Sequence, residues 1–171
     1  PRGDYQLIVR NIEPAGAGNL MQKFEALKNK LEIEGLFDPN KKLSIPSSPK
    51  HIAIVTSSST AAFQDIISTV QRRSPSSQVS LSEAIVQGDN AHVSIINALN
   101  RIVLFNEINP ENKIDVVILS RGGGSIEDLW CFNNEDLARE IFSFPIPTIS
   151  GVGHEIDFTI CDFVSDIRVP T

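Results

Sequence analysis

The 171-residue sequence is 41% apolar and 21% charged and carries ten Gly and ten Pro, the make-up of one ordinary globular domain with an appendage. Lys and Arg total 15 against 21 Asp and Glu, a formal charge of -6; this argues against a basic module that coats nucleic acid, but not against an enzyme with one locally basic cleft. No run approaches the ~18 consecutive apolar residues of a helical membrane span, and Pro1-Arg2-Gly3-Asp4 is not followed by an apolar signal region. Cys131 and Cys161 form no CxxC, which points to neither a zinc site nor a disulfide framework and sets an intracellular, cytoplasmic location as the expectation. The first residue is not Met, and Arg168-Val169-Pro170-Thr171 brings no closing element, so the expectation is a piece of a longer chain.

Taken in order, Tyr5 to Arg10 reads as a strand, and Leu20 to Glu34 as a charged amphipathic helix with Phe24, Leu27 and Leu31 inward. A lone strand has no stability of its own, which makes Tyr5–Arg10 the remnant of a preceding β domain. Pro39 to Pro49 is a polar linker. His51–Thr56 is a buried type of strand, Ser57 to Thr60 a turn and cap, and Ala61–Arg73 a helix with Ala62, Phe63, Ile66, Ile67 and Val70 on one side. Gln78 to Val86 follows as a strand, Ala91 to Glu107 as a helix, Ile108 to Asn112 as a loop, and Ile114 to Ser120 as the clearest strand of all. A helix is expected from Glu127 to Phe142, a short strand at Pro147–Ser150, and a last helix from about Glu155 to Phe163. Alternating strands and helices predict an α/β fold: a mainly parallel, Rossmann-like open sheet with helices on both faces, preceded by a strand-helix extension.

Ligands of such sheets bind beyond the carboxyl ends of the strands. This chain places Ser57 and Ser59 after its first strand, Arg121-Gly122-Gly123-Gly124-Ser125 after its third, and Gly151-Val152-Gly153-His154 after its fourth. A Ser/Thr run before a helix is more often an N-cap than a ligand. Three successive glycines are costly in entropy and make sense where backbone N–H groups meet an anion, with the Arg121 guanidinium suited to bidentate phosphate binding. His154 has Asp157 three residues on to fix its tautomer and titrates in the range needed for proton transfer. His51 and His92 read as structural, Asp65 as a solvated helix residue, and Asp162 and Asp166 as exposed charges. Trp130 and Phe132 read as core, with base stacking as the functional alternative. No metal-ligand motif is present.

Three segments carry a resemblance: Arg121-Gly-Gly-Gly-Ser-Ile-Glu-Asp-Leu-Trp-Cys-Phe-Asn133, Pro147-Thr-Ile-Ser-Gly-Val-Gly-His-Glu-Ile-Asp157, and Asp162-Phe-Val-Ser-Asp-Ile-Arg-Val-Pro-Thr171. Together they closely resemble the catalytic domain of the exodeoxyribonuclease VII large-subunit family, and Val86-Gln87-Gly88-Asp89 matches a further family stretch. The resemblance implies exonucleolytic hydrolysis of single-stranded DNA from either end to oligonucleotides, with no metal or other cofactor required. It carries functional roles to Asp65, Arg121, His154 and Asp157. It also implies that residues 1–13 follow an N-terminal OB-fold domain, that 14–49 are helix and linker, that 50–171 are a C-terminally truncated catalytic core, and that a region absent here recruits several copies of a small subunit. Two positions depart from the family pattern: Thr60 stands where Gly is usual and Ile156 where Thr is common.

The expected chemistry has Arg121 and the amides of Gly122 to Ser125 hold the scissile phosphate, His154 act as general acid or base oriented by Asp157, and Asp65 position water or a second proton-transfer group. The competing readings are a non-catalytic nucleotide- or phosphosugar-binding α/β module and an acidic scaffold within a larger assembly.

Overall fold

The computed structural model describes residues 17–122, 126–153 and 157–170. The strand expected at Tyr5–Arg10, three members of the glycine turn (Gly123, Gly124 and Ser125) and His154 lie outside the described residues.

Five strands form one sheet in the order β2-β1-β3-β4-β5, with every neighbouring pair parallel. They are β1 (His51–Thr56), β2 (Gln78–Glu83), β3 (Val116–Ser120), β4 (Thr148–Gly151) and β5 (Ile167–Arg168). All six residues of β1 are buried, which explains its continuous apolar run: a parallel strand covered on both faces has no solvent side to alternate toward. Side chains alternate across the sheet. Ala53, Val55, Val117 and Leu119 enter the main core together with Ile95, Leu99, Leu137 and Ile160. Ile52, Ile54 and Val116 are buried on the opposite face, outside that cluster.

Helices α3 (Ala91–Ile108), α5 (Glu135–Ser143) and α6 (Ile160–Val164) supply the core face. Helix α2 (Ala61–Arg73) connects β1 to β2, running across the sheet in the direction opposite to all later connections. Right-handed crossovers therefore put it on the other face, over Ile52 and Ile54. The sheet thus has helices on both faces, as expected.

Helix α1 (Ala17–Ile33) is fastened to this unit. Leu31 and Leu36 join the core, Lys30 Nζ reaches Glu135 at 2.8 Å, and Arg139 reaches Glu34 at 2.7 Å. The polar stretch after it is fastened too: Lys42 Nζ donates to the carbonyls of Phe163 and Ser165, each at 2.5 Å, and Leu43 N–H donates to Asp166 Oδ1 at 2.6 Å. Burial pushes the Lys42 ammonium below the usual lysine range, and the charge of Asp166 opposes that shift.

Four sequence expectations are corrected. The second strand stops at Glu83 rather than Val86 because Ala84 N–H meets the last carbonyl of β1, at Thr56, while Ile85 N–H turns to Ser94 Oγ. The helix expected over 127–142 is split into α4 (Ile126–Leu129), a 3-10 turn Trp130–Asn133 and α5. Two asparagines explain the split: Asn134 Oδ1 caps α5 through Leu137 N–H, and Asn133 Oδ1 accepts from Ile160 N–H. Within that turn Phe132 is core at 1% exposure, as read from the sequence, which leaves the stacking alternative to Trp130. Finally, α6 begins only at Ile160, and Asp162 is buried rather than exposed.

Candidate active site at the carboxyl ends of the strands

Connections leave β1 and β3 in opposite directions, which makes the gap between their carboxyl ends the topological switch point where open α/β sheets bind ligands. The register brings the relevant ends to one edge. Val55 pairs with Leu119, and Ser120 pairs with Gly151, so the segments starting at Ser57, Arg121 and Val152 all leave from the same side. Gly122 and Gly153 are therefore on neighbouring strand ends.

Arg121 is the most telling residue there. Strand β3 delivers it out of an apolar run, and its N–H follows the ladder to Gly151 O at 3.5 Å. The side chain is buried, Nη2 lies 3.5 Å from Asp128 Oδ2, and Nη1 is buried with no hydrogen-bond partner among the described residues. Buried guanidinium nitrogens without an acceptor are expensive, and a bound oxyanion would supply one. Arg121 also acts on its surroundings: burial pushes the Cys131 thiol up to about 11, and the Arg121 charge works against that rise.

Asp157 is half-buried and lines a cleft with Trp130, Phe158 and Thr159. Gly153 is required by its position against Asp157, since a Cβ there would collide with the carbonyl of Asp157. The two residues that bracket His154 in the chain are thereby packed against each other. Gly122 differs, because a Cβ there would meet nothing within 4 Å; steric crowding by the described residues does not demand a glycine at that point.

The Ser57–Thr60 turn behaves largely as a cap. Thr60 Oγ1 accepts from Phe63 N–H at 3.3 Å and donates to Ser57 O at 2.8 Å, with φ of -82°, so threonine there carries no backbone strain and performs the capping itself. Ser57 and Ser59 hydroxyls pair with each other at 3.0 Å. The Ser58 N–H is taken by the Glu83 carboxylate at 3.0 and 3.1 Å, and this hydrogen bond holds Glu83 below the usual carboxylate range. Asp65 is exposed on α2, and no hydrogen bond or ion pair joins its side chain to Arg121.

His51 is structural, as read from the sequence: it is buried, with Nδ1 3.1 Å from Asn112 O and Nε2 2.7 Å from Ser80 Oγ. Sequence reasoning missed Asp162, whose Oδ2 accepts from Thr159 N–H at 2.7 Å and Thr159 Oγ1 at 3.0 Å while Oδ1 accepts from Ser150. The spacing Thr159-x-x-Asp162 is a readable capping signal. Among the described residues, no three His, Cys, Asp or Glu side chains gather into a metal site, and no helix is long and apolar enough to cross a membrane.

Comparison with known proteins bears directly on this arrangement. The family model described as "Exonuclease VII, large subunit" matches residues 36–171. A protein of Vibrio parahaemolyticus named exodeoxyribonuclease 7 large subunit is 52% identical over 171 residues, which is 100% of this chain and 37% of that protein. Proteins of the same name from Haemophilus influenzae and Geobacillus kaustophilus are each 50% identical over the whole chain, which spans 38% and 37% of their lengths. With the family model covering most of the chain, and with the switch point, the buried Arg121 and the glycine-bearing strand ends falling inside the matched stretch, the chain belongs to the exonuclease VII large subunit family.

Proposed function

We propose that this chain is the catalytic part of a large subunit that hydrolyses phosphodiester bonds of single-stranded DNA exonucleolytically, from either end, to oligonucleotides, without a divalent metal. The observation that carries the reading is the buried Arg121 guanidinium at the switch point, its Nη1 without a hydrogen-bond partner among the described residues. A phosphate oxygen is the acceptor that group lacks, and a guanidinium stabilises the charge that develops as water attacks phosphorus.

In this reading Arg121 and the amides of Gly122 to Ser125 bind the scissile phosphate. His154, oriented by Asp157, transfers a proton between the attacking water or the departing sugar oxygen and solvent. Asp65 lies on the helix that starts at the same sheet edge and positions the water; Ser57 and Ser59 contact the strand nearby. The working enzyme is the full-length large subunit with copies of its small subunit, bound through a region outside this chain, and it acts in the cytoplasm. The buried free thiols fit a reducing compartment.

The test is to incubate the assembled full-length enzyme and its Arg121→Ala and His154→Ala variants with end-labelled single strands in EDTA. The wild type shortens the strands, and each variant is slower by at least ~100-fold. Intact strands with the wild type in EDTA, restored to cleavage by magnesium, would sink the metal-free mechanism. Binding of DNA without cleavage under either condition would leave a nucleotide-binding module.

A further inference from the structure

A cleft of about 310 Å³ runs between α1 and the segments that follow α4 and β4, the low end of the ~300–1,000 Å³ range of small-ligand pockets. Its walls are mostly apolar, with Lys28, Asn133, Asp157 and Thr159 as the polar members. Trp130 is half-buried and stands between this cleft and a neighbouring hollow of about 270 Å³ that Asp89 and His92 line. Phe158 is 48% exposed and Met21 51% exposed, both on the cleft. Phe158 is taken up by Arg168 and by stacking on Phe163, so the aromatic surface left for a partner on this side is the partly exposed face of the Trp130 indole.

Two further features specify the partner. Cations are seated on the aromatic rings at this place: Lys28 Nζ lies 5.1 Å from the centre of the Phe163 ring, and the Arg168 guanidinium lies 4.0 Å from that of Phe158. The cleft is also continuous with Asp157, the carboxylate next to Phe158 in sequence and part of the same lining. Aromatic faces bordered by positive charge, opening onto a phosphodiester-cleaving site, match a strand whose bases are free to leave one another; in a duplex those faces are already stacked.

We infer that the cleft receives one unpaired base of a DNA strand, stacked on the Trp130 indole, with Lys28 facing the adjoining phosphate and the backbone led toward Asp157. The inference rests on the nuclease reading above and adds to it a reason for preferring single strands. Trp130 is a binding residue here and touches no reacting atom.

The experiment uses the full-length large subunit assembled with its small subunit, acting on oligothymidylate and on the same strand with abasic residues in place of bases. Trp130→Phe keeps a flat ring and leaves KM within about twofold, whereas Trp130→Leu raises KM at least ~10-fold on intact strands with kcat within about twofold. On abasic strands the wild type shows the raised KM and Trp130→Leu loses nothing more. Lys28→Gln lowers the slope of log affinity against log salt by about 0.7. An unchanged KM for Trp130→Leu on intact strands overturns the inference. So does a loss of equal factor on both strands, which would assign Trp130 to folding or to contact with another part of the protein, and so does an unchanged salt slope for Lys28→Gln. A wild-type enzyme that leaves oligothymidylate uncut sinks the nuclease reading instead.

Discussion

Ser150 Oγ on β4 lies 2.5 Å from Asp162 Oδ1 in the first turn of α6, and both side chains are buried. The other carboxylate oxygen holds Thr159 twice, and Arg168 Nε stands 3.9 Å away. This group ties the end of β4 to the start of α6, and the segment that returns to Asp157 lies between those two anchors. Asp162→Ala leaves the Ser150 hydroxyl and the Thr159 donors without an acceptor and is expected to cost about 2–4 kcal/mol; Ser150→Ala, which removes one bond, is expected to cost about 1 kcal/mol. Urea denaturation of the two variants measures both values, and equal midpoints for Asp162→Ala and the wild type would refute the tie.

Gly153 and Gly122 make a matched pair of tests. At Gly153 an added methyl collides with the Asp157 carbonyl, so Gly153→Ala must displace the backbone that carries the proposed catalytic carboxylate. A shift of about 1 Å there is expected to slow strand cleavage roughly 100-fold. At Gly122 the methyl meets none of the described residues within 4 Å, and Gly122→Ala should leave the thermal midpoint within about 2 °C. Any loss of cleavage in Gly122→Ala then reports the close approach of a phosphate to that backbone rather than damage to the fold. Normal cleavage by Gly153→Ala would count against the placement of Asp157.

Much of the fold was legible in the sequence because β1 and β3 are buried on both faces, and continuous runs such as Ile52 to Val55 declare that environment directly. The break inside 127–142 was not legible, since Asn133 and Asn134 could equally be exposed helix residues until the amide of Ile160 and a new helix start take their side chains. The burial of Asp162 was hidden for a related reason: its partner Ser150 belongs to a strand, and the pairing exists only once α6 folds back against the end of β4. β5, two residues long, has no periodicity to detect. For the site, the rule that ligands gather at the carboxyl ends of the strands anticipated that Arg121, Gly122 and Gly153 leave from one edge of the sheet. It could not foresee that Glu83, arriving from β2, would claim the Ser58 amide and leave the first turn less open to phosphate than its serines suggest.

The cysteines are expected to be chemically silent in the native protein. Both are buried and free, the Cys131 thiol is pushed up to about 11 by burial, and burial raises the Cys161 thiol well above its ordinary value, with the Asp162 charge adding to the rise. With a value near 11 only about a thousandth of Cys131 is thiolate at about pH 8. Alkylation by iodoacetamide should therefore be at least ~100-fold slower in the native protein than in urea, followed by mass spectrometry of the two peptides. Rapid native labelling of Cys131 would show that the Arg121 charge outweighs burial and that the pocket around it is open.

The docking of α1 is expected to weaken in acid. Lys30 and Arg139 both donate to the Glu135 carboxylate, and these bonds hold its proton affinity below the ordinary value of 4.5. The folded carboxyl thus binds its proton less tightly than the unfolded one. Its contribution to stability is fully present above about pH 4.5 and is lost as the pH falls through the lower folded value. The pair is largely solvent-exposed, so the effect is small and screened by salt. Glu135→Gln should lower the urea midpoint at about pH 7, match the wild type at about pH 3, and show a reduced deficit at about 1 M salt. A deficit of the same size at both pH values would mean that Glu135 acts by packing or by capping α5, not by pairing α5 with α1.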